Sequence, residues 1–137
     1  MPDHELAFKM IKVLIEQGIS PTKEDLLKQT PLFYACREGN EAAINFLCNE
    51  MGDSVNRQDK YGQTPIYYAA REGHIRTIKQ LISLGALFDH ADTKNQRPIF
   101  YAIQANKYET VKYLIELGAS LTLEDKKGVT PTDHAKK

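Results

Sequence analysis

The chain has 137 residues, room for one domain, and its 42% apolar and 26% charged side chains mark a globular protein, not a disordered one. Eighteen basic and eighteen acidic residues cancel, so the basic excess of a phosphate-neutralising protein is missing and nucleic acid is not expected as the main partner. The longest apolar run, Met10 to Ile15, is broken by Lys12 and too short for a bilayer, and Asp3 and Glu5 do not suit a secretory leader, so no direct membrane insertion is expected.

Residues 3 to 17 read as one amphipathic helix with Phe8, Ile11, Leu14 and Ile15 on its apolar face. Beyond it a single period governs the chain. Gly18, Gly52, Gly85 and Gly118 are separated by 34, 33 and 33 residues. Pro31, Pro65, Pro98 and Pro131 keep those steps, as do Ala35, Ala69, Ala102 and Ala135, and Asp25, Asp59, Asp92 and Asp125. Four residue types in one register define an internal repeat.

Each unit has a physical reading. Thr30, Thr64 and Thr130 precede a proline, which predicts a helix start with the hydroxyl as N-cap. Small residues follow (Ala35, Ala69, Ala70, Ala102) where neighbouring units must approach. Gly39, Gly73 and Asn106 then share a slot that requires positive φ. A second helix follows, with Ile75, Ile78, Leu81 and Ile82 in one copy and Tyr108, Val111, Leu114 and Ile115 in the next. Glycine ends it. Asp59-Lys-Tyr-Gly62 and Asp125-Lys-Lys-Gly128 are tight turns in an extended finger, with Asn95 taking the glycine place between them.

The boundaries are therefore a partial unit at 3–29, full units at 30–63, 64–96 and 97–129, and a truncated unit at 130–137. One extra residue between Cys48 and Gly52 should bulge or lengthen the end of the second helix of the first full unit. The third full unit departs most from the pattern, with Arg97 at the cap position, and with the C-terminal stub it is expected to exchange its amides fastest. The half unit at the C-terminus should leave Leu114 and Leu117 partly uncovered, and the two half units suggest excerption from a longer chain.

The pattern resembles the ankyrin repeat. Thr64-Pro-Ile-Tyr-Tyr-Ala-Ala-Arg-Glu-Gly-His74 follows the family's T-P-L-H-x-A-A and G-H signature except at Ile66 and Tyr67, and Leu81-Ile-Ser-Leu-Gly-Ala86 and Leu114-Ile-Glu-Leu-Gly-Ala119 follow its later part. The resemblance covers nearly the whole chain. It implies a mainly α solenoid of stacked helix-turn-helix units with short β-hairpin fingers. It also implies a non-catalytic protein-protein interaction module that docks a protein or peptide on its concave helix face and finger tips.

On this sequence the implied contact residues are Arg37, Arg71, Glu72 and Gln104 on the helices and Lys60, Tyr61, Gln63, Lys94, Gln96 and Lys127 on the fingers, with Tyr61 the foremost candidate. The basic lean of the fingers favours a mildly acidic partner, met by a monomer. An alternative is a regulatory or targeting segment of a larger enzyme or channel, contacting its own parent domains.

Phe33, Tyr67 and Phe100 occupy the family's histidine slot, with Tyr34, Tyr68 and Tyr101 next to them. Successive helical residues point about 100° apart, so the two sets serve different surfaces. The first set is expected to stack between units, each ring on its counterpart one repeat away. For Tyr34, Tyr68 and Tyr101, core packing and a ligand-facing role are equally open.

Catalytic residues, cofactors and metals are not expected. Neither Cys36 nor Cys48 sits with a histidine and carboxylate as a nucleophile would, and the four histidines, His4, His74, His90 and His134, lack metal spacing. The cysteines read as free thiols inside packed helices, which suits an intracellular compartment, cytoplasmic or nuclear.

Overall fold

A computed structural model describes residues 4–18, 20 and 22–136. It contains α1 (His4–Glu16), α2 (Pro31–Glu38), α3 (Glu41–Asn45), α4 (Pro65–Glu72), α5 (Ile75–Ser83), α6 (Pro98–Gln104), α7 (Tyr108–Leu117) and α8 (Pro131–Ala135). The first helices of successive units, α2, α4, α6 and α8, form one row, and the second helices form another. The first row packs more tightly than the second, because its facing positions are Ala35, Ala69, Ala70 and Ala102, all buried. Closer packing on one side curves the stack, with the first helices inside.

Between the units lies a continuous core. Leu32, Phe33, Ile66, Tyr67, Ile99 and Phe100 are fully buried, each contributing roughly 1.5–3 kcal/mol. The aromatic ladder exists, but its pairing differs from expectation. Phe33 meets Tyr68 edge-on at 5.8 Å, Tyr67 meets Tyr101 at 5.8 Å, and Phe100 meets His134 at 5.1 Å. The first slot faces forward along the stack and the second faces back, so each ring touches the other slot of the next unit and not its own counterpart.

Threonine capping is also corrected. Only Thr130 makes the side-chain cap bond, in a reciprocal capping box with Asp133. Thr30 instead donates to Asp53 Oδ2 at 2.9 Å. Thr64 is buried with its hydroxyl unpartnered, because Ala86 stands where Asp53 stands one unit earlier. Thr30 and Thr64 start helices through their extended backbone and the following proline.

The turn between paired helices takes positive φ at Gly39 (68°), Gly73 (78°) and Asn106 (59°), as read from sequence. In the fingers Gly62, Asn95 and Gly128 do likewise, and so does Lys28, at the corresponding place in the first finger. The extra residue of the first full unit appears as a π-helical segment, Phe46–Glu50, in which the Met51 N–H bonds to the Phe46 carbonyl five residues back.

At the N-terminus Phe8, Ile11 and Ile15 pack on the core, Phe8 edge-on to Phe46 at 5.4 Å, whereas Leu14 turns outward at 53% exposure. At the other end Leu114 is fully buried and Leu117 half-buried, so the expected uncovering of Leu114 does not occur. The fingers contain no regular strand among the described residues. They are hairpin-like turns chained edge to edge, with Lys60 N–H on Leu27 O, Thr93 N–H on Tyr61 O and Lys126 N–H on Lys94 O.

Candidate binding groove

The inner helix row and the fingers meet along a polar seam built from the repeat. Each finger opens on an aspartate whose Oδ1 accepts the backbone N–H groups two and four residues on. For Asp59 these are Tyr61 at 2.9 Å and Gln63 at 3.0 Å, and Asp25, Asp92 and Asp125 do the same. The other oxygen faces the following helix. Tyr68 donates to Asp59 Oδ2 and Tyr101 to Asp92 Oδ2, each at 2.5 Å.

A glutamine from the previous finger completes each cluster. Gln29 Nε2 reaches Asp59 Oδ2 at 3.0 Å and the Tyr68 hydroxyl at 2.9 Å, and Gln63 Nε2 reaches Asp92 Oδ2 and the Tyr101 hydroxyl at 2.9 Å each. At the C-terminal step Gln96 donates to Asp125 Oδ2 at 2.9 Å, and His134 stands in the tyrosine place, its Nε2 3.4 Å from that oxygen. At the N-terminal step Tyr34 donates to Asp25.

Acidity follows from this wiring. Burial, then the carboxylate each phenol donates to, pushes Tyr68 and Tyr101 well above the ordinary phenol range. Burial also works to raise Asp125, but donors from Gln96, the Val129 and Lys127 amides and His134 outweigh it and hold that carboxyl at about 2. Asp25 is held low chiefly by Tyr34.

On the groove side of the seam, rings and guanidinium groups alternate. The Arg37 guanidinium carbon lies 5.1 Å from the centroid of Tyr34 and 4.8 Å from that of Tyr68. Arg71 lies 5.2 Å from Tyr68 and 4.9 Å from Tyr101. The three-residue spacing from Tyr34 to Arg37 and from Tyr68 to Arg71 puts ring and cation on one helix face. Each sandwiched cation gains roughly 0.5–1 kcal/mol per ring at such a surface. Gln104 ends the series.

The outer parts of the fingers are exposed. Tyr61 is 44% exposed, and Lys60, Lys94, Lys126 and Lys127 project into solvent without an ion pair among the described residues. A cleft of about 350 Å³ lies between the last two fingers and their helices, and a smaller one of about 200 Å³ lies one unit earlier. A third hollow, about 470 Å³ and mostly apolar, lies between α1 and α2 beside Tyr34.

The family model described as ankyrin repeats (3 copies) matches residues 5–92 and again 52–125. The chain belongs to the ankyrin-repeat family. No curated protein sequence matches it. Ankyrin repeats are in general protein-protein interaction modules. No helix among the described residues is long and apolar enough to cross a membrane, and no group of three or more metal-ligating side chains is gathered among them.

The ankyrin stack sorts the residues singled out in the sequence. Lys60, Tyr61, Glu72, Lys94, Gln104 and Lys127 are exposed on the finger and helix rim. Gln63, Tyr68 and Tyr101 are buried (5%, 4% and 8% exposed), and the Gln63 amide and both hydroxyls bond within the chain. The choice left open for the second-slot tyrosines is thus answered differently along the chain: Tyr68 and Tyr101 are core, Tyr34 is exposed. Arg37, Arg71 and Gln96 are half-buried and engaged in the seam.

His74 serves the turn from the next unit, its Nε2 2.9 Å from the Arg37 carbonyl and its ring over Gly39. Cys36 and Cys48 are free thiols. Burial pushes Cys36 well up and Cys48 to about 11, so neither is a poised nucleophile. The residues sequence reasoning missed are Gln29 and the paired roles of Gln63 and Gln96. Their signal was present, since all three hold the repeat register, five residues before each second-slot tyrosine.

Proposed function

We propose that this ankyrin stack is a non-catalytic recognition module, a monomer in the cytoplasm or nucleus, that binds an acidic peptide or protein segment along the groove. The observation that carries the reading is the sorting of charge in the fingers. Asp59, Asp92 and Asp125 are turned inward and saturated with donors, while the lysine following each, Lys60, Lys94 and Lys126, is exposed and unpaired among the described residues. A chain of zero net charge therefore presents a basic groove edge.

Tyr61 supplies a large amphipathic contact between these lysines, and Glu72 and Gln104 are exposed at the ends of their helices. Gln63, Tyr68, Tyr101 and the stacked Arg37 and Arg71 give the groove a rigid floor, which lowers the ordering cost of binding.

Fluorescence anisotropy of a fluorescein-labelled, glutamate-rich octapeptide tests this. Binding should weaken as salt rises. A Lys60→Glu, Lys94→Glu, Lys127→Glu triple variant with unchanged melting should lose affinity about tenfold or more. Equal affinity of triple variant and wild type would sink the proposal.

A further inference from the structure

The two clefts on the groove are the same cleft in successive units. Tyr101, Gln104, Asp125 and His134 stand in the larger one where Tyr68, Arg71, Asp92 and Tyr101 stand in the smaller one. In the smaller cleft the chain's own Arg71 lies between two rings, 5.2 and 4.9 Å from their centroids, and about 200 Å³ remains open. In the larger cleft Gln104 replaces that arginine and about 350 Å³ is open, with Tyr101 as one wall and the His134 imidazole, seated edge-on against Phe100, as the other.

We propose that this cleft is a binding slot for a partner's arginine side chain, whose guanidinium takes the place that Arg37 and Arg71 take in the two preceding units. The proposal rests on the acidic-segment reading above and adds to it: the partner is an acidic segment carrying one arginine.

Three properties of the slot select a planar cation. Aromatic rings attract cations, and the larger cleft, lined by Tyr101, Gln104 and His134, has no arginine among its lining residues, whereas the smaller one has Arg71. Asp125, held ionised by its four donors, supplies fixed negative charge at the base. Two rings, Tyr101 and His134, line the slot, and a planar guanidinium stacks on ring faces better than a rounded, strongly hydrated ammonium. Lys94, Lys126 and Lys127 stand at the mouth, exposed and screened by water and salt. They repel an isolated arginine weakly and attract the carboxylates flanking an arginine in an acidic segment, so slot and rim recognise the two parts of one ligand.

The test uses two labelled peptides, Glu-Glu-Arg-Glu-Glu and the same sequence with citrulline, the neutral isostere, at the centre. Wild type should bind the arginine peptide about fivefold tighter, the size expected for a cation between two rings. In Gln104→Arg, which fills the slot from within, the ratio of the two affinities should fall to about one, whatever the added charge does to both peptides. Equal affinity of the two peptides for wild type overturns the slot and leaves the acidic-segment reading standing. A preference that persists in Gln104→Arg overturns it as well.

Should neither peptide bind, the acidic-segment reading fails. Nα-acetylarginine amide, titrated by NMR, then decides the slot alone: saturable shifts at Tyr101 and His134 support it, and their absence refutes it.

Discussion

Removing one oxygen from Tyr68 tests the buried seam most directly. Tyr68→Phe keeps the ring, its edge contact with Phe33 and both stacked arginines, but deletes the hydroxyl that donates to Asp59 at 2.5 Å and accepts from Gln29 at 2.9 Å. A hydrogen bond to a charged group contributes about 1.5–3 kcal/mol and a neutral one about 0.5–1.5 kcal/mol. The neutral loss is partly offset, because Gln29 retains Asp59 as acceptor at 3.0 Å. The net cost should be about 2 kcal/mol, or about 6 °C in melting midpoint for a chain of this length.

Urea and thermal unfolding followed by circular dichroism provide the assay, with Tyr34→Phe as the matched control. Tyr34 makes the same bond to Asp25 but is 45% exposed, so water replaces the lost partner and the cost should stay below about 1 kcal/mol. If the two substitutions shift the midpoint equally, burial is not what gives the seam its strength and the argument fails.

Other consequences can be checked with the same equipment. Thr30→Val should cost about 1 kcal/mol by removing the donor to Asp53 Oδ2, while Ser54 and Arg57 still hold Oδ1, whereas Thr64→Val should be neutral or stabilising because it removes a buried hydroxyl without a partner; the reverse order would discredit the capping account. Asp125 has a folded-state pKa of about 2, below that of an unfolded aspartate, so its contribution is present above about pH 4 and lost as pH falls toward 2. Asp125→Asn should accordingly flatten the acid limb of the stability profile. Tyr67, Tyr68 and Tyr101 are all raised, chiefly by burial, so tyrosinate absorbance from these rings should appear only as the chain unfolds in alkali. Gly62→Ala should cost more than Gly128→Ala, both at positive φ, because only at Gly62 would the new methyl carbon lie 3.2 Å from the Thr93 backbone nitrogen.

What the sequence made legible was whatever repeats with one residue type and one local cause. The glycine and proline register gave the units, Asn95 and Asn106 declared themselves as left-handed positions, and one surplus residue announced the π segment. Contacts between units were harder. Tyr34 and Tyr68 share the same local setting, yet one is 45% exposed and the other 4%, because only Tyr68 has a complete unit stacked before it. Thr30 and Thr64 are also alike locally, and differ because Asp53 in one unit becomes Ala86 in the next. Arg37 and Arg71 read as solvent-facing contacts because the rings flanking each come from two different units.

The π segment shows where such a stack has slack. First helices pressed together through alanine, and fingers hydrogen-bonded edge to edge, leave no room for an added residue on the inside of the curve. Phe46–Glu50 lies in the outer row, where neighbouring helices are splayed, and there a single insertion is taken up as one widened turn while the next proline, aspartate and tyrosine return to register. The chain length of a unit can therefore vary on its back without disturbing its front. Engineered tags or reporter loops placed after Cys48 should for the same reason leave the groove surface intact.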